Sequence, residues 1–392
     1  MRIMTPAGMF IFCLMLLPVQ AQESGTMAVI SGEVTRDHRP LLWKNRESGV
    51  RENEVAFFHG PRYDFFGIID RNDTARVWMG LNTAGFALVH TEVLGQASST
   101  TAQNGLFIKQ ALGRCGRVDD LEELLAAYAD SSSACCANFA GLDAFGSTAL
   151  FEVNLRRLAR LTPSDSTLGA PGVLVRTDFV LTGPGGSRGG SWRYQRAREL
   201  LQIRAQSREL DVPFVLQSVA RDLASEEVDP YPLPFMGKVE DAPQGYVPTR
   251  TTLNNYRTVS CAVIQGVRPG EDPRLSTLWV ILGEPVSGIA LPLWPSSGEM
   301  PAAYDGKDGS DLNQTLLRNR ERFYPKKSWP QHIDTSALLR GRRSWLTFMT
   351  EFENDVFSTT ASALQKWRRS RPDTREMAQL QYQFARSLLR AL

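Results

Sequence analysis

The chain has 392 residues, a net charge of +2 and 22% charged residues, which is an ordinary composition for a globular protein. This near balance of charge excludes the strongly basic surface typical of nucleic-acid-binding proteins, and it gives no reason to expect a membrane-surface partner. The length is enough for one large domain or two ordinary ones.

The first 21 residues have the pattern of a signal peptide. Arg2 precedes a short apolar run from Met9 to Leu17, and Val19-Gln20-Ala21 supplies a small-residue cleavage pattern. The apolar run ends at Pro18 and is too short to cross a bilayer. We therefore expect an exported protein, periplasmic or secreted, with no membrane partner after the leader is cleaved.

The β-pattern begins directly after the leader. Val29–Val34 and Leu41–Asn45 flank the turn residues 37–40 and predict a hairpin. Six further segments have the composition of strands. They are Ala56–Phe58, Phe65–Ile69, Ala75–Met79, Phe86–His90, Ala137–Leu142 and Thr148–Val153.

Helical patterns alternate with these strand blocks. The first long one follows Asp119, a plausible N-cap, with apolar residues at 121, 124, 125 and 128. A glycine- and serine-rich loop over 183–191 precedes a helical block from Arg196 to about Leu223. Strand patterns return at Thr258–Gln265 and Leu278–Leu282, and two amphipathic stripes follow after residue 340.

These blocks predict an α+β layered fold. The proline-rich stretch 229–234 indicates a connection rather than a domain boundary, because strand patterns resume after it. Residues 22–392 are therefore expected to form a single domain with a helical C-terminal part.

Five cysteines occur, and Cys13 lies within the leader. Two interpretations of the other four remain open: a disulfide from Cys115 to Cys135 or Cys136, or buried small hydrophobic residues, which would include Cys261. None of the four has the sequence context of a catalytic thiol, and none has zinc-like spacing.

Several motifs occur in order between residues 25 and 295 and resemble one known superfamily. They are 28–32 (AVISG), 39–46 (RPLLWKNR), 80–87 (GLNTAGFA), 138–139 with 151–152, 175–179 (VRTDF), 257–260 (RTVS), 279–285 and 291–294 (LPLW). The chain resembles the exported, penicillin-acyltransferase-like branch of the choloylglycine hydrolase and penicillin acylase relatives, among the N-terminal-nucleophile hydrolases.

The resemblance implies a four-layer αββα sandwich with the first mature residue at the end of a central strand. In such enzymes the side chain of that residue attacks an amide carbonyl, and its own α-amino group serves as the base. The implied ligand is a small N-acyl amide or peptide-like compound, and no cofactor is implied. His38, His59 and His332 lack metal-ligand spacing, so we predict no metal site.

The family nucleophile position falls on Gly25, which has no side chain to attack with. The family spacing fits Ala28, Lys44 and Asn45 only when it is counted from residue 25. Because side chains alternate across a strand, Thr26 is expected to point to the opposite face unless the strand end is bulged.

Ser24 is expected to point away for the same reason. Gly-Thr is also a junction at which some of these proteins cut themselves to expose a catalytic threonine, so Thr26 stays open as a substitute nucleophile.

Other family positions also differ. Where the family has an aspartate, an oxyanion-hole asparagine and a further asparagine, this chain has Glu47, Asp178 and His90. An ionised aspartate accepts hydrogen bonds and repels a developing oxyanion, whereas an asparagine amide donates to it. His90 alone on an apolar strand is also consistent with a hydrogen-bonded core histidine.

The resemblance further implies that Lys44 and Asn45 belong to the pocket and that Arg257 supports the nucleophile and its partner acid. A surface lysine on a hairpin is the alternative for Lys44. A buried ion pair with Glu47 is a structural role for Arg257 that would also be compatible with its family role.

Two functional hypotheses follow from these substitutions. The chain is either an exported amide hydrolase or acyltransferase that uses Thr26 or Ser24, or a catalytically silent relative that binds an N-acylated amine or peptide. A filled pocket in a framework protein is a third alternative. The sequence leaves the acyl group, the amine and the oligomeric state unspecified.

Overall fold

The computed structural model describes residues 23–93, 101–131, 136–154, 156–165, 171–182, 189–325 and 327–392. The predicted signal peptide lies outside these ranges, as do Cys135 and most of the glycine- and serine-rich loop predicted over 183–191.

Fifteen strands occur in the described ranges. In chain order they are β1 (Ser24–Ile30), β2 (Leu41–Glu47), β3 (Asn53–Phe58), β4 (Phe65–Asp70), β5 (Met79–Asn82), β6 (Ala87–Glu92), β7 (Cys136–Leu142), β8 (Thr148–Asn154), β9 (Arg157–Leu161), β10 (Val173–Arg176), β11 (Tyr246–Pro248), β12 (Thr258–Gln265), β13 (Thr277–Ile281), β14 (Leu291–Leu293) and β15 (His332–Asp334).

The α-helices of the described ranges follow the same numbering. They are α1 (Thr101–Arg114), α2 (Val118–Ser131), α3 (Ser191–Gln206), α4 (Val212–Phe214), α5 (Asp311–Glu321), α6 (Thr335–Leu339), α7 (Trp345–Arg369) and α8 (Thr374–Ala391). Helix α4 continues directly into a π-helical turn over Val215–Val219.

Two antiparallel sheets form the centre of the molecule. One has six strands in the order β10-β1-β2-β12-β13-β14, and the other has seven in the order β3-β4-β5-β6-β7-β8-β9. Strands β1 and β2 of the first sheet pack face to face on β6 and β7 of the second. Strands β11 and β15 form a separate two-stranded sheet.

Helices cover the outer face of each sheet. Helices α1 and α2 pack on the seven-stranded sheet, where Phe107 and Leu121 meet Phe139 in one apolar cluster. On the six-stranded sheet α3 packs on β10 and β1, and α7 and α8 pack on β14. The predicted α+β fold with four αββα layers is confirmed.

The hairpin of β1 and β2 is present, with Met27 opposite Lys44. The first strand ends earlier than its apolar pattern suggested, because residues 32–34 form a 3₁₀ turn that the Ser31 hydroxyl caps. Helix α1 was missed in the sequence. It contains Gly105, where a Cβ would lie 2.8 Å from the Cβ of Arg76, so this glycine lets the helix approach the chain before β5 closely.

Of the two open interpretations of the cysteines, the structure favours the second for Cys115, which is a free, buried thiol. Cys261 is also free and buried, and desolvation raises the pKa of both thiols to about 12. The Cys136 thiol donates to Asn154 Oδ1 at 3.5 Å. These thiols lie in the packed interior as small hydrophobic groups.

Within the described ranges, none of the helices combines the length and the apolar character that crossing a membrane would require.

Candidate functional site

Gly25 lies at the start of β1, opposite Arg46 on β2. Its φ is +129°, a backbone conformation that residues with a side chain rarely adopt. A Cβ at this position would lie 2.0 Å from the carbonyl oxygen of Asn45 and 3.0 Å from Lys44 Nζ. The strand therefore has no room for a side chain at residue 25, where the sequence resemblance places the nucleophile.

The two residues before Gly25 belong to the fold. Ser24 pairs with Glu47 in the sheet. The Glu23 carboxylate accepts hydrogen bonds from Arg46 Nε at 2.7 Å and from Nη2 at 2.5 Å. The Glu23 carbonyl accepts from the Glu92 N–H at 3.2 Å and so joins the two sheets. In the unprocessed chain Gly25 therefore follows two buried residues.

The Ser24 hydroxyl donates to Asp178 Oδ1 at 2.7 Å. Ser24 therefore belongs to the polar cluster around Asp178. The alternation of side chains along β1 had predicted that it points away. Ser24 keeps its register opposite Glu47, but its hydroxyl reaches Asp178 instead of lying away from it. The expectation for Ser24 was therefore wrong.

Thr26 lies directly opposite Asn45, in the regular part of the strand. Directly opposed residues share a face of a sheet, so Thr26 and Asn45 both face the helical layer. The Thr26 side chain is fully buried, and its hydroxyl has no hydrogen-bond partner among the described residues. This placement puts Thr26 and Lys44 on opposite faces of the sheet.

Asp178 follows β10 and is the centre of the polar cluster. Its Oδ1 accepts from Ser24, from the Gly25 N–H at 3.1 Å and from Thr91 Oγ1 at 3.4 Å, while Oδ2 pairs with Arg193. Burial raises the pKa of this carboxyl to about 6, and the hydrogen bonds from Ser24 and Gly25 oppose that rise. Its oxygens already accept hydrogen bonds, so the ionised side chain offers no donor to an oxyanion.

Arg193 on α3 joins the two acids of the cluster. Its guanidinium pairs with Glu47 Oε1 through Nη1 and with Asp178 Oδ2 through Nη2. All three side chains are buried. Desolvation lowers the pKa of Arg193 to about 10.

The suggested ion pair between Arg257 and Glu47 was wrong, because Arg193 occupies that place. Arg257 is half-buried and forms no ion pair within the described ranges, although its charge acts on Arg193. Its backbone carbonyl accepts from the Ser48 N–H, which places Arg257 at the edge of the cluster.

Lys44 enters the cluster from β2. It is 3% exposed, and its Nζ donates to the Ser24 carbonyl oxygen at 2.8 Å. Desolvation lowers the pKa of Lys44 to about 7, although the charges of Asp178 and Glu23 oppose that shift. The alternative of a surface lysine is therefore wrong.

Replacing Lys44 with methionine should flatten the pH dependence of stability above neutrality. The amine has a pKa of about 7 in the folded chain and 10.5 as a free group, so the unfolded chain binds more protons between these values. Stability from this group rises with pH across that window, by up to ~1.4 kcal/mol per pH unit. Urea unfolding from pH 7 to pH 10 measures the slope.

Lys366→Met, at an exposed lysine on α7, is the matched control and should leave the slope unchanged. An equal slope in Lys44→Met and the unmodified chain would show that Lys44 is not the group responsible.

Asn45 and His90 were predicted to contact substrate, and the structure corrects both assignments. Asn45 Nδ2 donates to the carbonyl oxygens of Ala220 and Leu253, each at 2.9 Å, and its Oδ1 accepts from Trp43 Nε1 at 3.1 Å. Both donor hydrogens are used within the protein, so Asn45 joins β2 to the helical layer.

His90 faces α1 rather than the polar cluster. Its ring lies 6.1 Å from that of Trp78 and 5.9 Å from that of Phe139, which in turn packs on Phe107. Nδ1 contacts the Trp78 carbonyl at 3.3 Å, and burial lowers the pKa to about 3. This is the core histidine that was the alternative interpretation. The next residue of β6, Thr91, is the one that reaches Asp178.

Arg193, Glu23 and Thr91 were missed in the sequence. Arg193 carried a detectable signal, because it heads the buried stripe of α3 that continues through Ala197, Leu201 and Ala205. An arginine in line with an apolar stripe needs a buried partner. Glu23 and Thr91 carried no comparable signal.

Within the described ranges, no three His, Cys, Asp or Glu side chains are grouped as ligands for a metal ion.

Solved structures that match this chain include three hydrolases or acylases. Penicillin V acylase from Agrobacterium tumefaciens is 10% identical over 69% of this chain and 86% of that chain, with a TM-score of 0.37. A variant of conjugated bile acid hydrolase from Clostridium perfringens is 11% identical over 65% and 88%, with a TM-score of 0.40. A Caenorhabditis elegans ortholog of N-acylethanolamine-hydrolyzing acid amidase is 12% identical over 48% and 86%, with a TM-score of 0.35.

These three proteins are N-terminal-nucleophile hydrolases, the superfamily that the sequence motifs resemble. At these identities the matches concern the fold alone. A scan of protein-family profiles and a search of curated proteins return no match.

Proposed function

We propose that this chain is an exported relative of the amide carbon–nitrogen hydrolases that has lost cleavage by an N-terminal nucleophile and binds an N-acylated amine or peptide-like ligand. The observation that carries the proposal is the backbone of Gly25. Its φ of +129° and the Asn45 carbonyl 2.0 Å from the Cβ position exclude a nucleophilic side chain without movement of the strand.

Three further observations support the loss of this chemistry. The mechanism needs a free α-amine beside the nucleophile, and in the unprocessed chain Glu23 and Ser24 precede Gly25 in buried, hydrogen-bonded positions. The oxyanion-hole position has a carboxylate, Asp178. Thr26 lies on the face of β1 opposite to that of Lys44.

The ligand class comes from the sequence resemblance, and Arg257 supplies a group that could recognise it. Arg257 is half-buried at the edge of the cluster and has no ion-pair partner in the described part of the chain. A ligand carboxylate there would gain a charge-assisted hydrogen bond. An N-acylglycine combines such a carboxylate with the implied amide.

The loss of catalysis is tested by mass and activity together. Mass spectrometry of the exported chain should place its first residue near Gln22, and N-acylglycines should not be cleaved faster than in buffer. A chain that begins at Thr26 and cleaves these amides, with activity removed by Thr26→Ala, would overturn the proposal.

Binding is tested by calorimetry with a series of N-acylglycines. Arg257→Gln should weaken binding about tenfold, which corresponds to a lost ion pair of ~1.4 kcal/mol. Arg318→Gln, at an exposed arginine on α5, is the matched control and should bind as the unmodified chain does. Heat changes that are absent for the whole series, or equal in both variants, would contradict the binding role.

Hydrolysis through Ser24 is the second candidate, and one geometric observation favours it. The Ser24 hydroxyl donates to Asp178. Lys44, whose pKa is lowered, donates to the Ser24 carbonyl oxygen. A carboxylate or a neutral amine can serve as a general base for a hydroxyl. Turnover that Ser24→Ala abolishes and Thr26→Ala preserves would favour this candidate over the silent one.

A further inference from the structure

A cavity lies on the outer face of the six-stranded sheet, under α7. Its volume is about 230 Å³. The floor is Trp279 of β13, one wall is formed by α7, and the other wall is formed by Val212 and Pro213 of α4.

This cavity is separate from the polar cluster around Asp178. Trp279 lies opposite Val263, which lies opposite Trp43, so the three residues share one face of the sheet. Asn45, two residues after Trp43, lies on that face too, whereas Lys44 points to the other. Lys44 therefore lies across the sheet from the cavity, and Glu47 lies at the opposite end of β2 from Leu41, which is the partner of Gln265 in the lining.

The interior of the cavity is mostly apolar. The rings of Trp279 and Phe357 are 4.9 Å apart at 56°, and Leu364 and Ala361 continue the wall along α7. An apolar cavity of about 150 Å³ holds one benzene molecule. The larger volume here fits an aromatic ring or a short alkyl chain together with a small polar head.

Three residues of the lining have buried polar atoms without a hydrogen-bond partner. They are Trp279 Nε1, Thr360 Oγ1 and Arg368 Nε. Trp279 is 3% exposed and Thr360 is 1% exposed. An unpaired buried polar group costs about 1–3 kcal/mol, and a ligand with acceptor oxygens would remove that cost.

The charges around the cavity favour an anionic ligand. The two acids of the lining are already paired: Asp37 with Arg39 at 3.0 Å, and Asp211 with Arg36 at 3.4 Å. Arg368 Nε, in contrast, lies 3.9 Å from its nearest carboxylate, which is too far for a hydrogen bond.

That carboxylate belongs to Glu271, which Arg39 binds through two hydrogen bonds. Arg368 is thus the cation of the lining whose charge is least compensated.

We propose that this cavity binds a small monocarboxylate with an aromatic or short aliphatic body. The body packs against the rings of Trp279 and Phe357, and the carboxylate pairs with Arg368 at the polar end. Small rotations of Thr360 and Arg368 bring their unpaired donors onto the carboxylate oxygens. The proposal does not depend on amide cleavage at the other site.

Calorimetry with 3-phenylpropionate tests the site in the full mature chain. Ala361→Phe fills the cavity from an exposed position of α7 and should weaken binding at least about tenfold, because it occupies the space of the ligand ring. Ser362→Phe, at the neighbouring exposed position outside the lining, is the matched control and should leave affinity within about twofold.

The head group is tested with 3-phenylpropionamide, which has the same shape without the charge. The amide should bind about tenfold more weakly, and Arg368→Gln should remove the difference between acid and amide. Equal affinity for acid and amide in the unmodified chain would overturn the assignment of a carboxylate. Absence of binding at millimolar 3-phenylpropionate, or equal binding in both phenylalanine variants, would overturn the site.

Discussion

Replacing Gly25 with alanine should lower the free energy of unfolding by about 2–6 kcal/mol. The φ of +129° strains any residue with a side chain by about 1–3 kcal/mol. The added Cβ would also lie 2.0 Å from a backbone oxygen of β2, and forced overpacking of this kind costs a further ~1–3 kcal/mol. Chemical denaturation of the purified chain measures the loss.

Gly270→Ala separates the two contributions. Gly270 has a φ of +87°, but a Cβ there would meet nothing within 4 Å, so only the backbone strain of about 1–2 kcal/mol is expected. If Gly25→Ala costs no more than Gly270→Ala, the strand tolerates a side chain at the nucleophile position. The main support for a silent site would then be lost.

The close approach of the β2 backbone oxygen to the Cβ position of residue 25 also has a functional consequence for Gly25→Cys. Restoring the family nucleophile by this change alone would create the same clash and leave Glu23 and Ser24 ahead of the thiol. We expect a destabilised chain without amidase activity. Turnover of an N-acyl amide by this variant would show that the site retains the rest of the catalytic geometry.

Replacing Arg193 with methionine should destabilise the fold by about 3–5 kcal/mol. Arg193 is the cation between Glu47 and Asp178, and all three side chains are buried. Its removal leaves two carboxyls without their shared partner in a region of low polarity. Urea unfolding at pH 7 measures this loss.

The pH dependence of Arg193→Met tests whether the loss of stability comes from the buried Asp178 carboxyl. Burial already raises the pKa of Asp178 to about 6 from 3.8, and without the cation it should rise further. The variant then keeps this carboxyl protonated at pH values above about 6, where the unmodified chain ionises it, so the deficit grows as pH rises above 6. The deficit relative to the unmodified chain should therefore be smaller at pH 5 than at pH 7.

Arg343→Met is the matched control for Arg193→Met, because Arg343 pairs with Glu351 on the surface. Exposed pairs contribute about 0–1 kcal/mol, so a loss below that limit is expected. A deficit of Arg193→Met that matches the control, or that does not change with pH, would contradict the role of Arg193 as the shared partner of two buried acids.

The motif positions in the sequence predicted several members of the candidate site. Gly25, Lys44, Glu47 and Asp178 were named as its members, and the structure brings them together through Ser24 and Arg193. Spacing along paired strands is enough to predict which side chains lie near one another, because the strand register relates distance in sequence to position in the sheet.

The errors in the site concern side-chain contacts. Ser24 was misplaced because its partner Asp178 is 154 residues away, and spacing along β1 does not reveal that contact. His90 was misplaced by one residue, since its neighbour Thr91 is the residue that faces Asp178. The partner of Glu47 was misassigned because α3 brings Arg193 to it from 146 residues away.

The sequence by itself determined the layer architecture, the β1–β2 hairpin and the absence of a nucleophilic side chain at position 25. These features depend on periodicity, register and residue identity, which are local properties of the chain. Only the tertiary structure decided that Gly25 has no room for a side chain and that Arg193 is shared by two acids. It also decided that a cavity lies under α7. Those features arise where segments distant in sequence meet, so their physical cause is packing and charge pairing between segments.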